Sequence, residues 1–131
     1  MESESVLRVM VVDDDLVVRN LFVDALSTAG MDVQSRGTAL LALEAMSESK
    51  FDALVTDLAM PEMDGLRFVA KLRSLRIDTP AVLVSGFLSR EVVLRALSLG
   101  VTKVLAKPAS VEQLLKVVAE VAESGKAEPS G

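Results

Sequence analysis

The sequence predicts an α/β domain: a doubly wound, five-stranded parallel sheet with helices on both faces. Three observations predict it. Five short apolar runs alternate with five stretches whose apolar residues recur at helical spacing. That alternation calls for parallel strands joined by right-handed helical crossovers. The polar residues least at home in a core, Asp13, Asp14, Asp57, Ser85 and Lys107, each fall where an apolar run stops. In open sheets of this kind ligands bind outside the carboxyl ends of the strands.

Taken in order, Val6 to Val12 is an apolar run broken only by Arg8, and Asp13-Asp14-Asp15 ends it. Asp15 is placed to cap a helix whose stripe is Val18, Leu21, Phe22, Ala25, Leu26 and Ala29, with Gly30 as its stop. Met31 to Ser35 is a second strand, and a helix over about 38–47 has Leu40, Leu43 and Met46 as its stripe. Phe51 to Thr56 is the third strand and delivers Asp57; Pro61 and Gly65 mark the turn before a helix over 65–75. Leu66, Val69 and Leu72 carry its core face, with Phe68 and Leu75 beside them. Ala81 to Val84 is the fourth strand, ending at Ser85-Gly86, and Ser89 caps a helix that runs to Leu99 and stops at Gly100. Lys103 to Ala106 is the fifth strand, followed by Lys107-Pro108. Ser110-Val111-Glu112-Gln113 reads as a capping box opening a helix to about Glu123.

At 131 residues the chain is one domain by length, with half its residues apolar and a core of ample size. The expected division is a domain over residues 6–124, a disordered N-terminus over 1–5, and a flexible tail or truncated linker over 125–131. The net charge of −5 argues against direct nucleic-acid binding. The acidic start is unlike a signal peptide, and no apolar run approaches the roughly 20 residues that span a bilayer. The expectation is a cytoplasmic protein that does not engage membranes. Cysteine is absent, so disulfides and thiolate metal sites are excluded. Histidine is absent too, so any phosphohistidine chemistry must use a partner's histidine.

If strands one, three, four and five are neighbours, Asp13, Asp14, Asp57, Ser85 and Lys107 meet in one pocket. Clustered carboxylates repel, and a divalent cation is the simplest remedy. Oxygen ligands without histidine or cysteine favour magnesium. Lys107 supplies a point charge and Ser85 a hydroxyl for phosphoryl oxygens. Phosphoryl transfer needs mainly positioning and charge neutralisation, so the set suffices once Asp57 is the nucleophile.

With these residues in place, VVDDD (Val11 to Asp15), VTDLAMPEMDG (Val55 to Gly65), LVSG (Leu83 to Gly86) and AKP (Ala106 to Pro108) resemble the receiver domains of two-component response regulators, over roughly residues 6–124. The resemblance implies a flavodoxin-like (βα)5 fold with strand order 2-1-3-4-5. It implies that Asp57 accepts a phosphoryl group from a partner's phosphohistidine, with magnesium as cofactor. Asp14 and Asp57 would ligate the ion, with Asp13 acting mainly through water and Ala59 offering its backbone carbonyl. Ser85 and Lys107 would contact the phosphoryl oxygens, and the bond before Pro108 is expected to be cis. Implied partners are a sensor histidine kinase or a histidine phosphotransfer protein, and an output domain or target. The face built from helix 89–99, strand 103–106 and helix 110–123 is a candidate homodimer surface. The chain is expected to act as a switch, catalysing only its own phosphorylation and dephosphorylation.

Two departures from the family pattern stand out. Val104 occupies the position where receivers usually carry an aromatic residue that turns inward on activation, and is equally well read as a plain strand residue. Ala59 and Phe87, two residues past the acceptor and the hydroxyl, cannot orient a water; with Phe87 shielding the site, a long-lived acyl phosphate is expected. The simpler readings are that Asp15 is only a cap, Met60 and Met63 pack, Glu62 and Asp64 are solvated turn residues, and Arg90, Glu91, Arg95, Lys103 and Lys116 coat exposed faces. The alternative function is a pseudo-receiver that binds proteins without being phosphorylated, against which the complete acid–hydroxyl–lysine set speaks. An aspartyl phosphatase would need a second acid at Ala59. Neither a Walker loop nor a GxGxxG fingerprint is present.

Overall fold

A computed structural model describes residues 6–126. The expected disorder of residues 1–5 lies outside the described residues, as do residues 127–131 of the expected tail 125–131; residues 125 and 126 are instead the end of the last helix. The strands are β1 (Arg8–Val12), β2 (Asp32–Arg36), β3 (Ala53–Asp57), β4 (Ala81–Ser85) and β5 (Val101–Ala106). The helices are α1 (Leu16–Thr28), α2 (Ala39–Glu48), α3 (Gly65–Ser74), α4 (Arg90–Ser98) and α5 (Val111–Lys126). All strands pair in parallel, in the order β2-β1-β3-β4-β5. Fold class and strand order are as expected from the sequence.

Side chains alternate along each strand and so sort into two cores. Val9 and Val11, Ala53 and Val55, and Val82 and Val84 face one way, where Phe22 and Leu26 of α1 and Leu114, Val118 and Val121 of α5 cover them. Met10 and Val12, Leu54, and Ala81 and Leu83 face the other, beneath Ala42 and Met46 of α2, Phe68 and Leu72 of α3, and Ala96 of α4. Both faces of the central strands are buried, which explains why Val9 to Val12 of β1 and Ala53 to Val55 of β3 are apolar at successive positions rather than alternating.

The caps are local chemistry. Asp15 accepts the amides of Val17 and Val18, Thr38 that of Leu41, Ser89 that of Val92, and Ser110 that of Gln113. Asp64, expected as a solvated turn residue, is the cap of α3 and accepts the Arg67 amide at 2.8 Å. The helix stripes need correction where they run to the rim. Leu21, Leu40 and Leu75 are about half exposed, and α2 packs through Ala39 and Ala42 together with the expected Leu43 and Met46. Helix α5 continues to Lys126, past the expected end near Glu123.

Candidate functional site

Asp13 and Asp14 follow β1, Asp57 closes β3, Ser85 closes β4 and Lys107 follows β5. The register aligns Val12 with Thr56, Asp57 with Val84, and Ser85 with Ala106, so these groups share the carboxyl end of the sheet. One carboxylate oxygen from each of Asp13, Asp14 and Asp57 lies within 4.8 Å of the others. Lys107 Nζ bridges two of them, 3.2 Å from Asp13 Oδ2 and 3.1 Å from Asp57 Oδ1. Its partners are 94 and 50 residues away in sequence, brought together by strand order.

The three acids are not equivalent. Asp13 is 2% exposed, and both its oxygens are used: Oδ1 accepts the Asp15 amide at 2.9 Å and Oδ2 faces Lys107. Asp14 is exposed, and no hydrogen bond among the described residues engages its carboxylate. Asp57 is 7% exposed. Burial first, then the charge of Asp13, push its carboxyl above the ordinary carboxylate value, against the opposing hydrogen bond and charge of Lys107. Burial works against the Lys107 charge, but the hydrogen bonds it donates to Asp57 and Asp13 outweigh that and raise its pKa. A buried carboxyl with a raised pKa beside a lysine marks a candidate functional group.

Those donors fit a small hard cation. All are oxygens, none is imidazole or thiolate, and Asp14 is free of other hydrogen bonds in the described structure. The backbone carbonyl of Ala59, two residues past Asp57, likewise accepts no hydrogen bond among the described residues.

Ser85 is buried, and its hydroxyl is engaged: Oγ accepts the Phe87 amide at 2.9 Å and donates to the Phe87 carbonyl at 3.1 Å. The Lys107 amide in turn donates to the Ser85 carbonyl at 2.9 Å, tying the ends of β4 and β5. The expected shielding by Phe87 is not what its position offers, since the residue is 81% exposed and a solvated ring covers little. Met60 and Met63 pack into the α2–α3–α4 core as expected. Val104 is half-buried in that same core, and the Lys107–Pro108 bond is cis.

Gly65 is a site residue for a reason the sequence reading missed. A Cβ there would run into the backbone carbonyl of Asp57, and the Gly65 amide donates to Leu58 O at 2.8 Å. The start of α3 therefore sits directly against the end of β3, and only glycine permits that approach. The pair Asp64-Gly65 ahead of a 3.6-period stretch was the available signal: a cap followed by a residue without a side chain.

Comparison with known proteins agrees with this geometry. The response regulator receiver domain family matches residues 9–119. A protein-glutamate methylesterase/protein-glutamine glutaminase of Xanthomonas oryzae pv. oryzae is 40% identical over 112 residues, covering 82% of this chain but 31% of that protein. The sensor histidine kinase RcsC of Salmonella typhi is 30% identical over 122 residues, covering 93% of this chain and 13% of the kinase. The chain thus spans less than a third of the length of either relative. Among solved structures, the chemotaxis protein CheY4 of Vibrio cholerae superposes with a TM-score of 0.85 at 29% identity, over 89% of this chain and 99% of that one. A CheY-like receiver domain from Methanospirillum hungatei JF-1 gives 0.90 at 26% identity, over 95% of this chain and 100% of that one. The acid cluster at the sheet's carboxyl end, the bridging lysine and the family match lead to one conclusion: this chain belongs to the response regulator receiver domain family.

Proposed function

We propose that the chain is a phosphoacceptor switch in two-component signalling, taking a phosphoryl group onto Asp57 from a phosphohistidine on a partner. The observation that carries this is the buried Asp57 carboxylate, 3.1 Å from Lys107 and grouped with Asp13 and Asp14. An Asp57 oxygen attacks phosphorus, the phosphorus–nitrogen bond to the partner's imidazole breaks with its electron pair going to nitrogen, and an acyl phosphate forms. Asp14, Asp57 and the Ala59 carbonyl would hold magnesium, with Asp13, already committed to Lys107 and the Asp15 amide, reaching it through water. Bound there, the ion would neutralise charge between the acids and the incoming phosphoryl oxygens.

Lys107 then follows the phosphoryl group as a mobile point charge. Ser85 can donate to a phosphoryl oxygen only by leaving the Phe87 carbonyl, so the state of Asp57 would bear on the loop leading into α4. That loop, α4, β5 and α5 make the candidate output or dimer face, where Arg90, Glu91, Arg95, Lys103 and Lys116 are exposed. Leu16 and Val17, directly after the acid loop, and Leu21 and Val111 farther along are exposed apolar residues, a surface that suits a protein donor better than a free anion. Ala59 offers no acid or base, in keeping with a switch that has no turnover on a free substrate. Among the described residues no helix is long and apolar enough to cross a membrane.

The test is incubation with a small-molecule acyl phosphate and magnesium, read by intact mass. One phosphoryl adduct is expected, absent in Asp57→Asn and without magnesium. No adduct on the parent chain, or an adduct that persists in Asp57→Asn, refutes the proposal.

A further inference from the structure

The acid loop between β1 and α1 is held from behind by a residue outside the acid–hydroxyl–lysine set. Arg19, one turn into α1, sends Nη1 back to donate to the Asp13 main-chain carbonyl at 2.7 Å. On the other side of the same residue, the Asp13 amide donates to the Arg36 carbonyl at 3.3 Å. The guanidinium lies over Gly37, where a Cβ would sit 2.7 Å from Arg19 Nη1. Gly37 therefore leaves the slot that Arg19 fills, and the loops after β1 and β2 are locked together through Asp13.

This arrangement has two possible consequences of opposite sign. As a mere charge, Arg19 would oppose a divalent ion next to it, and removing it would tighten metal binding. As a strut, it fixes the peptide from which the Asp13 and Asp14 side chains project, and removing it would loosen metal binding. The hydrogen bond to a buried loop carbonyl favours the strut, because Asp13 has no conformational slack left: amide, carbonyl and both carboxylate oxygens are all engaged. Outer-shell partners of metal ligands are typically worth about 10–100-fold in metal affinity.

We propose that Arg19, seated over Gly37, is a positioning residue for the cation site, holding the Asp13 carbonyl so that the acid loop keeps its aim. The inference rests on the phosphoacceptor reading. It also makes Gly37 an indirect determinant of the site. Gly37→Ala is a mild change for the fold, since what must give is the far end of a flexible side chain, yet it gives at the expense of the Arg19–Asp13 hydrogen bond.

The experiment titrates magnesium into the full chain by calorimetry and by amide NMR. Arg19→Gln and Gly37→Ala are each expected to weaken binding by about tenfold, the low end of the outer-shell range. Arg19→Lys, which keeps the charge and one donor, recovers part of the loss. At saturating magnesium the extent of Asp57 phosphorylation by a small acyl phosphate should return to that of the parent chain. Unchanged or tighter magnesium binding in Gly37→Ala overturns the inference, and that variant decides if Arg19→Gln does not fold. A parent chain that is phosphorylated on Asp57 while the variants bind magnesium normally sinks this inference alone. A parent chain that binds no magnesium sinks it together with the phosphoacceptor reading.

Discussion

The two ends of the sheet each place one cation among acids, and they differ in burial. At the amino end, Arg8 on β1 lies 3.5 Å from Asp32, its Nη1 donates to the Lys50 carbonyl, and its guanidinium stacks 4.6 Å from the Phe51 ring centroid. Asp32 is 56% exposed there, and water screens the pair. At the carboxyl end, Lys107 sits between Asp13 and Asp57, whose side chains are 2% and 8% exposed. The same ingredients make a surface latch at one end and a strongly coupled site at the other. Removal from water is what converts a charge cluster into chemistry, because it raises the cost of every unmatched charge.

The comparison can be broken most forcefully at Lys107. Lys107→Met leaves Asp13 and Asp57 facing each other in a buried pocket, and should cost about 3 kcal/mol of folding stability in metal-free buffer, the lower end for removing one partner of a buried pair. Urea denaturation measures it, and adding Asp57→Asn should restore most of the loss. Next in size is Gly65→Ala, which drives a methyl into the Asp57 carbonyl and should cost about 1–3 kcal/mol by overpacking. It should also slow phosphorylation by displacing the end of β3.

The pH profile sharpens the contrast. Because the folded Asp57 carboxyl titrates above its unfolded value, its ionisation opposes folding. Stability is fully present below the unfolded value near about 4 and declines as pH rises through the folded pKa. Asp57→Asn should be more stable than the parent at neutral pH without metal, and should lose that decline. Lys107, whose pKa is raised by the same two acids, stabilises the fold below its unfolded value near about 10.4, and that contribution vanishes as pH climbs through the folded pKa. Lys107→Met should flatten this alkaline loss in a denaturation series. At the other end of the sheet the smallest effect is expected: Arg8→Ala should cost no more than about 2 kcal/mol, the sum of an exposed ion pair and a partly solvated cation–π contact. A larger loss there would mean that burial is not the deciding difference between the two ends.

Much of the molecule was legible because its signals are local. Caps at Asp15, Ser89 and Ser110 act on amides two or three residues away, and a strand buried on both faces announces itself as an apolar run. The five polar strand ends could be read off for the same reason. What local patterns could not say is which apolar side chain at a helix rim meets a neighbour. Leu40 and Leu75 have the right period and still face water, because α2 turns Ala39, Ala42, Leu43 and Met46 to the core and α3 has ended before Leu75. Phe87 looked like a shield from its spacing, and the loop turns it outward.

By itself, then, the sequence determined the alternation of elements, the identity of the acids, hydroxyl and lysine, and the absence of any histidine to act within the chain. Only the tertiary structure decided what those groups do to one another. Strand order sets Lys107 within 3.2 Å of Asp13 across 94 residues, burial raises the Asp57 carboxyl, and two glycines do their work at a distance. Gly65 clears a path for the Asp57 carbonyl, and Gly37 makes room for Arg19. Both contacts depend on separate segments meeting in space, and a periodicity along one chain carries no record of such a meeting.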